Sequence, residues 1–417
     1  MRILLIHQYF LEKGDGGGSR FNEMARMWVE LGHEVTVISG MVHYTTGKKY
    51  DCYKGKYIVN EMADDGVMVY RCHVSEAYNK NFIGRLWAYF SFVVSSLLCG
   101  VILKKKYDVL LVTSPPLFVA ITGILLSKFK HIPFVFEVRD LWPESAIDTG
   151  VLNNRYLITA AYWLEKQAYR NAQLVNTLTP AFQEKIVSSK GVADSKVTMI
   201  PNAADFSISD EIVARVNRKQ IRESLGLAEK FIVTYVGAHG IANHLKQILE
   251  AAELLKGSSV CFLLIGDGMQ KEWLKAEAKR KNLENVRFID PVSKEKVFEY
   301  IFASDIGISV LKKVETFKTV YSNKTFDYMA CKKPVLMAID GVSRTLVEKA
   351  ECGVYVEPEN PSDLAQKTLR YFEDKELAQK HGLNGYHFAK KHFDRKILAL
   401  EYLERLSEIA RSNRFKN

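Results

Sequence analysis

The 417-residue sequence lacks the short motifs that mark the commonest metal-dependent and nucleotide-dependent chemistries. It has no Asp-x-Asp pair, no His-Glu-x-x-His segment, no Walker lysine loop and no Gly-x-Ser-x-Gly elbow. Its six cysteines include no Cys-x-x-Cys, which argues against a zinc ribbon or a disulfide framework and favours reduced cytosolic thiols. We therefore expect no metal and no other cofactor.

Signals for disorder and for secretion are also missing, whereas basic residues are in excess. Hydrophobic residues make up 47% and charged residues 25% of the chain, as in an ordinary globular protein. The apolar run at residues 1–7 is too short for a signal peptide and is predicted to be a buried strand. With 58 Lys and Arg against 48 Asp and Glu, the net charge of +10 is compatible with nucleic acid, an anionic membrane surface or acidic substrates.

One uncharged stretch, residues 86–103, is a candidate for contact with a membrane. Arg85 precedes it and Lys104, Lys105 and Lys106 follow it. Its length lies at the lower limit for a spanning helix, and serine, tyrosine and tryptophan dilute its apolar character. We expect a helix of a soluble domain that lies against the bilayer with its basic ends at the headgroups. A plain core helix and a spanning helix are the alternatives.

Strand and helix signals alternate along the chain, which predicts α/β architecture with doubly wound parallel sheets. The length favours two domains, predicted over 1–206 and 207–394, with a C-terminal helix at 395–417 that packs back on the first. This amphipathic helix is predicted to have its apolar positions at Ile397, Leu400, Tyr402, Leu403 and Leu406. The polar stretch 207–229 is interpreted as the linker. Strands are predicted at 2–8, 34–39, 108–113, 133–138, 172–178, 196–200, 231–237, 260–266, 286–289, 305–310, 334–338 and 354–356.

A glycine-rich loop follows the first predicted strand. Its glycines, which include Gly17 and Gly18, do not fit Gly-x-Gly-x-x-Gly, so a dinucleotide site is not predicted. The order of strand, loop and helix still suits an anion, because glycines let a phosphate approach the amide groups at the start of the helix near Arg20. The alternative is a tight turn that needs glycine backbone angles.

Polar residues also follow the strand predicted at 133–138, namely Arg139, Asp140 and Glu144. Open α/β sheets place functional groups beyond the carboxyl ends of their strands. Arg139 and Asp140 are therefore candidates for catalysis, and a local ion pair is the alternative.

A further segment, 321–330, combines helix-capping residues with a lysine and a carboxylate. Ser322 or Asn323 can cap a helix whose first turn carries Lys324, and Asp327 follows about one turn later. A positive helix end with a lysine suits a diphosphate, and the carboxylate can accept hydrogen bonds from ribose hydroxyls. A capped helix with a solvated lysine and aspartate is the alternative.

The order of these motifs resembles that of glycosyltransferase family 4. The motifs are the glycine-rich loop, Leu-Gly-His-Glu-Val at 31–35, Ile-Pro-Asn-Ala-Ala-Asp at 200–205 and Lys-x-x-Asp-Tyr-Met-Ala-x-x-Lys-Pro-Val at 324–335. The resemblance covers essentially the whole chain and implies the GT-B fold, in which two Rossmann-like domains face a central cleft. The segment Arg-Asp-Leu-Trp-Pro-Glu-Ser at 139–145 is similar to the bacterial branch that builds O-antigen, capsule or related polysaccharide.

The resemblance implies an enzyme of the hexosyltransferase or N-acetylhexosaminyltransferase type. Members of that branch move a sugar from a nucleotide donor, with retention, to a polyprenyl-diphosphate-linked saccharide at the cytoplasmic membrane face. It therefore implies a UDP-sugar donor, no metal, no nucleic acid, and a cytoplasmic protein that associates peripherally with an anionic membrane surface.

The resemblance also assigns roles to individual residues. Lys324 is implied to neutralise the diphosphate and Asp327 to hold the ribose. Together with Arg139 and Asp140, the candidates beyond the strand at 133–138, they form the predicted catalytic set. Those implied in substrate binding are Gly17, Gly18, Arg20, Gly237, His239, Pro291, Val292, Ser322, Asn323 and Thr325. The backbone of residues 290–292 would take the edge of the nucleobase.

The sequence departs from the family pattern at three places. The family's Glu-x7-Glu pair falls on Thr319 and Asp327. His239, Asn243 and His244 stand in the stretch where the family has an arginine and a lysine, and Arg139 replaces a histidine.

Three other classes of function stay open at this point. A nucleotide-sugar 2-epimerase shares the two-domain architecture but needs no lipid acceptor. A non-catalytic binding or scaffolding protein is compatible with threonine at 319. A nucleic-acid binder fits least well, because the basic residues are distributed and accompany no recognition motif.

Overall fold

The structure is a computed structural model that describes residues 1–12, 15, 20–43, 47–63, 65–79 and 82–414. The chain forms two compact units. The first contains Met1–Leu11, Ser19–Pro201 and Lys396–Asn417, and the second contains Glu12–Gly18 and Asn202–Arg395. The main chain thus passes from one unit to the other after Pro201, a few residues before the predicted boundary at 206.

An eight-stranded sheet lies at the centre of the first unit, with strand order β3-β4-β2-β1-β5-β6-β7-β8 in the described part of the chain. All neighbours are parallel except β3 and β4, which are antiparallel. The central strands are buried on both faces, which explains their continuous apolar sequences. The strands are β1 Arg2–Ile6, β2 Glu34–Gly40, β3 Ile58–Met62, β4 Met68–Cys72, β5 Val109–Ser114, β6 Phe134–Val138, β7 Leu174–Thr177 and β8 Val197–Met199.

Sequence analysis missed β3 and β4. The burial pattern of β3 shows why, since its residues are only half-buried or exposed and its apolar and polar positions do not alternate strictly. Pairing with β4, rather than an intrinsic pattern, makes this segment a strand at the edge of the sheet.

Among the described residues, six α-helices lie before Asn202. α1 ends just before Gly32, which adopts a positive φ of 79°. The helices are α1 Arg20–Glu30, α2 Phe82–Ile102, α3 Val119–Lys130, α4 Glu144–Asp148, α5 Arg155–Asn171 and α6 Pro180–Ser188.

The second unit is built on a six-stranded parallel sheet in the order β11-β10-β9-β12-β13-β14. Its strands are β9 Phe231–Val236, β10 Val260–Ile265, β11 Val286–Ile289, β12 Ile306–Val310, β13 Val335–Ala338 and β14 Gly353–Tyr355. The helices from here to the end of the described chain are α7 Phe206–Arg215, α8 Arg218–Ser224, α9 Lys246–Leu254, α10 Lys271–Arg280, α11 Lys294–Ala303, α12 Asn323–Ala330, α13 Val342–Lys349, α14 Pro361–Glu373, α15 Lys375–His392 and α16 Arg395–Arg414.

The interpretation of 207–229 as a linker is wrong. This stretch forms most of α7 and all of α8, and both helices belong to the second unit. Arg218 and Arg222 donate hydrogen bonds of 2.5 and 3.1 Å to the carboxylate of Asp305, directly before β12. In α8, where Ile221 is the one buried residue, such polar contacts provide much of the attachment, so the apolar periodicity that predicts a helix is weak there.

The C-terminal helix α16 belongs to the first unit from Lys396 onward. The indole of Trp28 on α1 donates a 2.8 Å hydrogen bond to the carbonyl oxygen of Ala399 and contacts the ring of Tyr402. Of the predicted apolar positions, Ile397 and Leu400 are exposed, whereas Tyr402, Leu403 and Leu406 are buried. Leu398 and Ala399 are buried instead, because the helix is rotated relative to the predicted face.

Candidate active site

The second sheet reverses its strand order between β9 and β12, and the loops at this point are unusually close together. Gly237 follows β9 and has a φ of 138°. A Cβ atom on Gly266, in the loop after β10, would lie 2.0 Å from the carbonyl oxygen of Gly237. A Cβ atom on Gly268 would lie 2.6 Å from the carbonyl oxygen of His239. Glycine is thus required for these two loops to pack, at the kind of position where α/β sheets bind ligands.

Lys324, on the first turn of α12, lies beside this glycine loop. A Cβ atom on Gly237 would lie 3.2 Å from Cε of Lys324 and 3.7 Å from its Nζ. The amine is 3.5 Å from Oγ of Ser322 and 4.9 Å from the centroid of the Tyr235 ring. Burial lowers the pKa of Lys324 to about 8, against the opposing effect of Asp327. The structure thus brings together Lys324 and Gly237, two residues that the sequence placed on different motifs.

The side chain of His239 is completely buried in the same loop. Its ring lies 6.0 Å from that of Tyr235 and 6.2 Å from that of Phe288. Burial and the nearby Lys271 lower the pKa of His239 to about 4, so the imidazole is neutral. Among the described residues neither ring nitrogen has a hydrogen-bond partner. A buried imidazole without partners is costly, which is typical of a group that awaits a ligand or an ordered water.

Asp327, the predicted ribose ligand, already has a strong partner. Nζ of Lys294, at the start of α11, donates to both carboxylate oxygens at 2.8 Å. Sequence analysis missed Lys294 because it lies 33 residues before Asp327 and carries no motif of its own. Its position two residues after the segment 290–292, which was predicted to contact the nucleobase, was the one available signal.

The other residues predicted to bind substrate at α12 have different hydrogen-bond partners and different degrees of burial. Ser322 precedes the helix, but its side chain makes no capping hydrogen bond. Oδ1 of Asn323 accepts a 2.6 Å hydrogen bond from Asn202, which belongs to the Ile-Pro-Asn motif. Thr325 is fully buried and shares a 2.9 Å hydrogen bond with Ser309 on β12. Thr325 therefore fixes α12 on the sheet from inside the unit.

The segment after β11 is at the surface. Pro291 is exposed, and Val292 is half-buried against the side chains of the sheet. Asp290, just before them, forms an ion pair of 2.5 Å with Lys271. Lys271 also donates 2.8 Å to the carbonyl oxygen of Gly266, so this pair ties the loop after β11 to the glycine loop after β10.

In the first unit, the predicted residues Arg139 and Asp140 follow β6. Nη1 of Arg139 lies 3.5 Å from Nε2 of His7, which itself follows β1 at the point where this sheet reverses its strand order. Burial first, and then Arg139, lower the pKa of His7, so its neutral ring can accept this hydrogen bond. Sequence analysis missed His7 because the first strand was predicted to run to residue 8, whereas β1 ends at Ile6 and leaves His7 just beyond its carboxyl end.

Asp140 accepts a 2.7 Å hydrogen bond from Oγ of Ser145. Burial raises the pKa of the Asp140 carboxyl group, although the hydrogen bonds from Ser145 and the backbone of Leu141 oppose that shift. A carboxylate with a raised pKa is a better proton acceptor than an exposed one. Asp140 is therefore equipped to orient a hydroxyl group.

Arg20 was predicted to bind substrate, but its guanidinium group is buried and bound within the first unit. It forms hydrogen bonds of 3.1 and 3.2 Å with both carboxylate oxygens of Glu137 on β6, and it donates 2.8 Å to the carbonyl oxygen of Ile200. Glu137 also accepts a 2.9 Å hydrogen bond from Asn176 on β7. The group is thus structural, joining α1 to β6 and β8. Gly17 and Gly18 lie outside the described residues.

Comparison with known proteins places these features in a family. The glycosyl transferase 4-like domain matches residues 15–203, and the glycosyl transferases group 1 domain matches residues 217–388. The chain is 26% identical over 299 residues to the putative colanic acid biosynthesis glycosyl transferase WcaI of Escherichia coli (strain K12). The aligned region covers 69% of this chain and 71% of WcaI.

Two solved structures share the fold over nearly the full length. Sucrose-phosphate synthase from Thermosynechococcus elongatus has a TM-score of 0.74 at 16% identity and covers 99% of each chain. Anabaena HepE in complex with UDP-glucose has a TM-score of 0.71 at 20% identity and covers 98% of this chain and 100% of that one.

Two α/β units with parallel sheets and these matches define the protein as a glycosyltransferase with the GT-B fold. More particularly, the chain belongs to glycosyltransferase family 4. The predicted family and fold and the prediction of a glycosyltransferase are thereby confirmed, and the match with WcaI confirms the resemblance to the bacterial branch.

Proposed function

We propose that this protein is a retaining, metal-independent glycosyltransferase that acts in surface polysaccharide synthesis. It moves an N-acetylhexosamine or related sugar from a UDP-sugar to a polyprenyl-diphosphate-linked saccharide. The observation that carries the proposal is the placement of Lys324 and His239 beside the glycine loop at the switch point of the second sheet. The UDP-glucose complex of HepE and the name of WcaI support the donor and the class of product.

The donor diphosphate lies, in this proposal, between Gly237 and the start of α12. The departing nucleoside diphosphate gains negative charge in the transition state. Lys324, the amide groups at the start of α12 and the backbone at Gly237 meet that charge from fixed positions. In this proposal Lys324, rather than a metal ion, supplies the compensating cation.

The proton of the acceptor hydroxyl goes to the departing phosphate oxygen. The bond from the anomeric carbon to that oxygen breaks while the acceptor oxygen attacks from the same face, which retains the configuration. This proposal requires no strong base. Asp140 orients the acceptor, since its carboxylate is held by Ser145 at the carboxyl end of β6.

In this proposal the enzyme lies at the cytoplasmic face of the membrane and contacts the bilayer through α2. By length and composition one helix within the described residues, Ile83–Ile102, could span a membrane, but 44% of it is buried inside the protein. That burial, together with the packing of α2 on α3, favours a helix that lies on the bilayer surface.

The test is transfer from a panel of nucleotide sugars, first selected by thermal stabilisation of the protein, to lipid-linked acceptors. We expect nucleotide release and a lengthened acceptor only when both substrates are present. A free epimer formed from the nucleotide sugar alone would instead identify a 2-epimerase. The absence of turnover with any pair, despite donor binding, would identify a binding protein.

A further inference from the structure

Helix α2 buries its serine side chains, whereas a row of its apolar side chains is exposed. The hydroxyl groups of Ser91 and Ser95 are buried and donate hydrogen bonds of 2.7 and 2.6 Å to the carbonyl oxygens of Ala88 and His73. A helix that faces water shows the reverse arrangement. The exposed face of α2 consists of Ile83, Trp87, Phe90, Val94, Leu98 and Val101, which recur at helical spacing. This exposed apolar face is suited to a hydrocarbon environment.

An apolar cavity of about 260 Å³ opens beside the exposed apolar face of α2. Side chains of α2, α3 and α5 form its walls, and every lining residue except Arg85 is aliphatic or aromatic. The ring of Phe118 lies 5.6 Å from that of Tyr89 and 5.8 Å from that of Trp142, so aromatic rings form a continuous wall. Phe90 belongs both to the lining and to the exposed face of α2, which makes the two surfaces continuous.

The charged side chains close to the cavity are few. Arg85 is the one charged residue of its described lining. Glu144 on α4 and Glu165 on α5 both accept hydrogen bonds from Lys190. An apolar cavity whose charged lining residue is basic is complementary to a molecule that joins a hydrocarbon chain to an anionic group.

The cavity is also next to the candidate catalytic segment of the first unit. Trp142 lines it and follows Asp140 by two residues, and its backbone amide donates 3.0 Å to the carbonyl oxygen of Asp140. A molecule whose apolar chain lies against Trp142 therefore has its polar end near Asp140 and Arg139. A lipid-linked substrate must place its polar end at the catalytic segment, so a binding site for its hydrocarbon chain is expected next to that segment. Bulk membrane lipid has no such requirement.

We propose that this cavity binds a segment of the hydrocarbon chain of the lipid-linked acceptor. The chain enters from the bilayer on which α2 lies, and it anchors the acceptor so that its diphosphate and sugar reach the carboxyl end of β6. This inference rests on the proposed function, which it extends by assigning Phe118, Trp142 and Leu157 to lipid binding.

A photoreactive polyprenyl phosphate, presented in detergent micelles to the full-length protein, tests the site without any turnover. We expect cross-links in peptides that contain Trp142 and the first half of α5. Ala160 is exposed at the cavity and lines it, so Ala160→Phe should fold and should lower labelling about tenfold by filling the space. The matched control is Ala276→Phe, the same change at an exposed position of α10, which should label like the unmodified protein.

Competition decides which lipid the cavity binds. Unlabelled polyprenyl phosphate should suppress labelling, whereas phosphatidylglycerol at the same concentration should not. Equal suppression by phosphatidylglycerol, full labelling of Ala160→Phe, or cross-links confined to the exposed apolar face of α2 would each overturn the inference. Intact cavity labelling in a protein that transfers no sugar would contradict the proposed function alone.

Discussion

At the scale of single residues, Lys324 is the side chain on which the proposed donor site depends most. Burial lowers its pKa to about 8, so a fraction of the molecules loses this charge just above neutral pH. UDP binds the protonated form, because its diphosphate needs the ammonium group. We therefore expect the affinity for UDP to be highest below pH 8 and to fall by up to about tenfold per pH unit above it. Isothermal titration calorimetry between pH 7 and pH 9 measures this directly.

Lys324→Arg is the matched control, since an arginine keeps its charge over this range. Its UDP affinity should depend little on pH. Lys324→Ala should lower turnover by about a hundredfold while changing stability little, because the deleted ammonium group is destabilised by burial. The same pH profile in Lys324→Ala as in the unmodified protein would show that another group titrates.

Arg20 has a different partner in the structure from the one that the sequence predicts. Its place near a glycine loop suggested an anion, but Glu137 supplies that anion from 117 residues along the chain. The N–H groups of Arg20 that face Glu137 already donate to a buried carboxylate, so they are not available to a ligand. Glu137 could not be identified as the partner of Arg20 from the sequence, because β6 and α1 come together only when the unit folds.

At the scale of elements, α2 offers a direct test of membrane contact. Trp87 is 62% exposed on the apolar face, and Val94 lies two turns further along it. We expect Trp87→Gln combined with Val94→Gln to lower partitioning onto phosphatidylglycerol vesicles about tenfold, because both side chains leave water in the bound state. Co-sedimentation at low salt measures the effect, and higher salt should weaken the binding of the unmodified protein by screening.

Trp273 provides the comparison for this experiment. It is 47% exposed on α10 of the second unit, so Trp273→Gln removes an equally large exposed ring from a different surface. Vesicle binding of this variant should be unchanged. An equal loss in both variants would mean that exposed tryptophan in general, rather than α2, drives the partitioning.

Elements with strong apolar periodicity were predicted well, whereas elements held by polar contacts were not. β9, β10 and β11 were predicted almost to the residue, because buried parallel strands carry uninterrupted apolar runs. α8 was interpreted as linker because Arg218 and Arg222 hold it to Asp305 by ion pairs. Such contacts leave no periodic signal in the sequence.

At the scale of the whole molecule, the first unit is assembled from both ends of the chain. β1 lies at its centre, and the buried residues of α16 complete its core. We expect Leu406→Ala to lower the free energy of unfolding of this unit by about 2–5 kcal/mol, since it leaves a cavity at a fully buried position. Urea unfolding followed by tryptophan fluorescence reports mainly this unit, which contains Trp28, Trp87, Trp142 and Trp163.

Leu400→Ala is the corresponding change on the exposed side of α16. It should cost less than about 1 kcal/mol, because little apolar surface returns to water. Sequence analysis put both leucines on one apolar face, so equal destabilisation would support that predicted face against the observed rotation of the helix.

The sequence by itself determined the alternation of strands and helices, the two α/β domains, the family and the segments that carry Lys324, Asp327, Arg139 and Asp140. Those features depend on local periodicity and short motifs, which the chain displays in order. Only the tertiary structure decided that Arg20 pairs with Glu137, that Asp327 pairs with Lys294, and that the serines of α2 face inward. Each of these outcomes depends on which side of an element meets a partner distant in sequence. That choice is made by packing and desolvation when the units fold, and no local pattern records it.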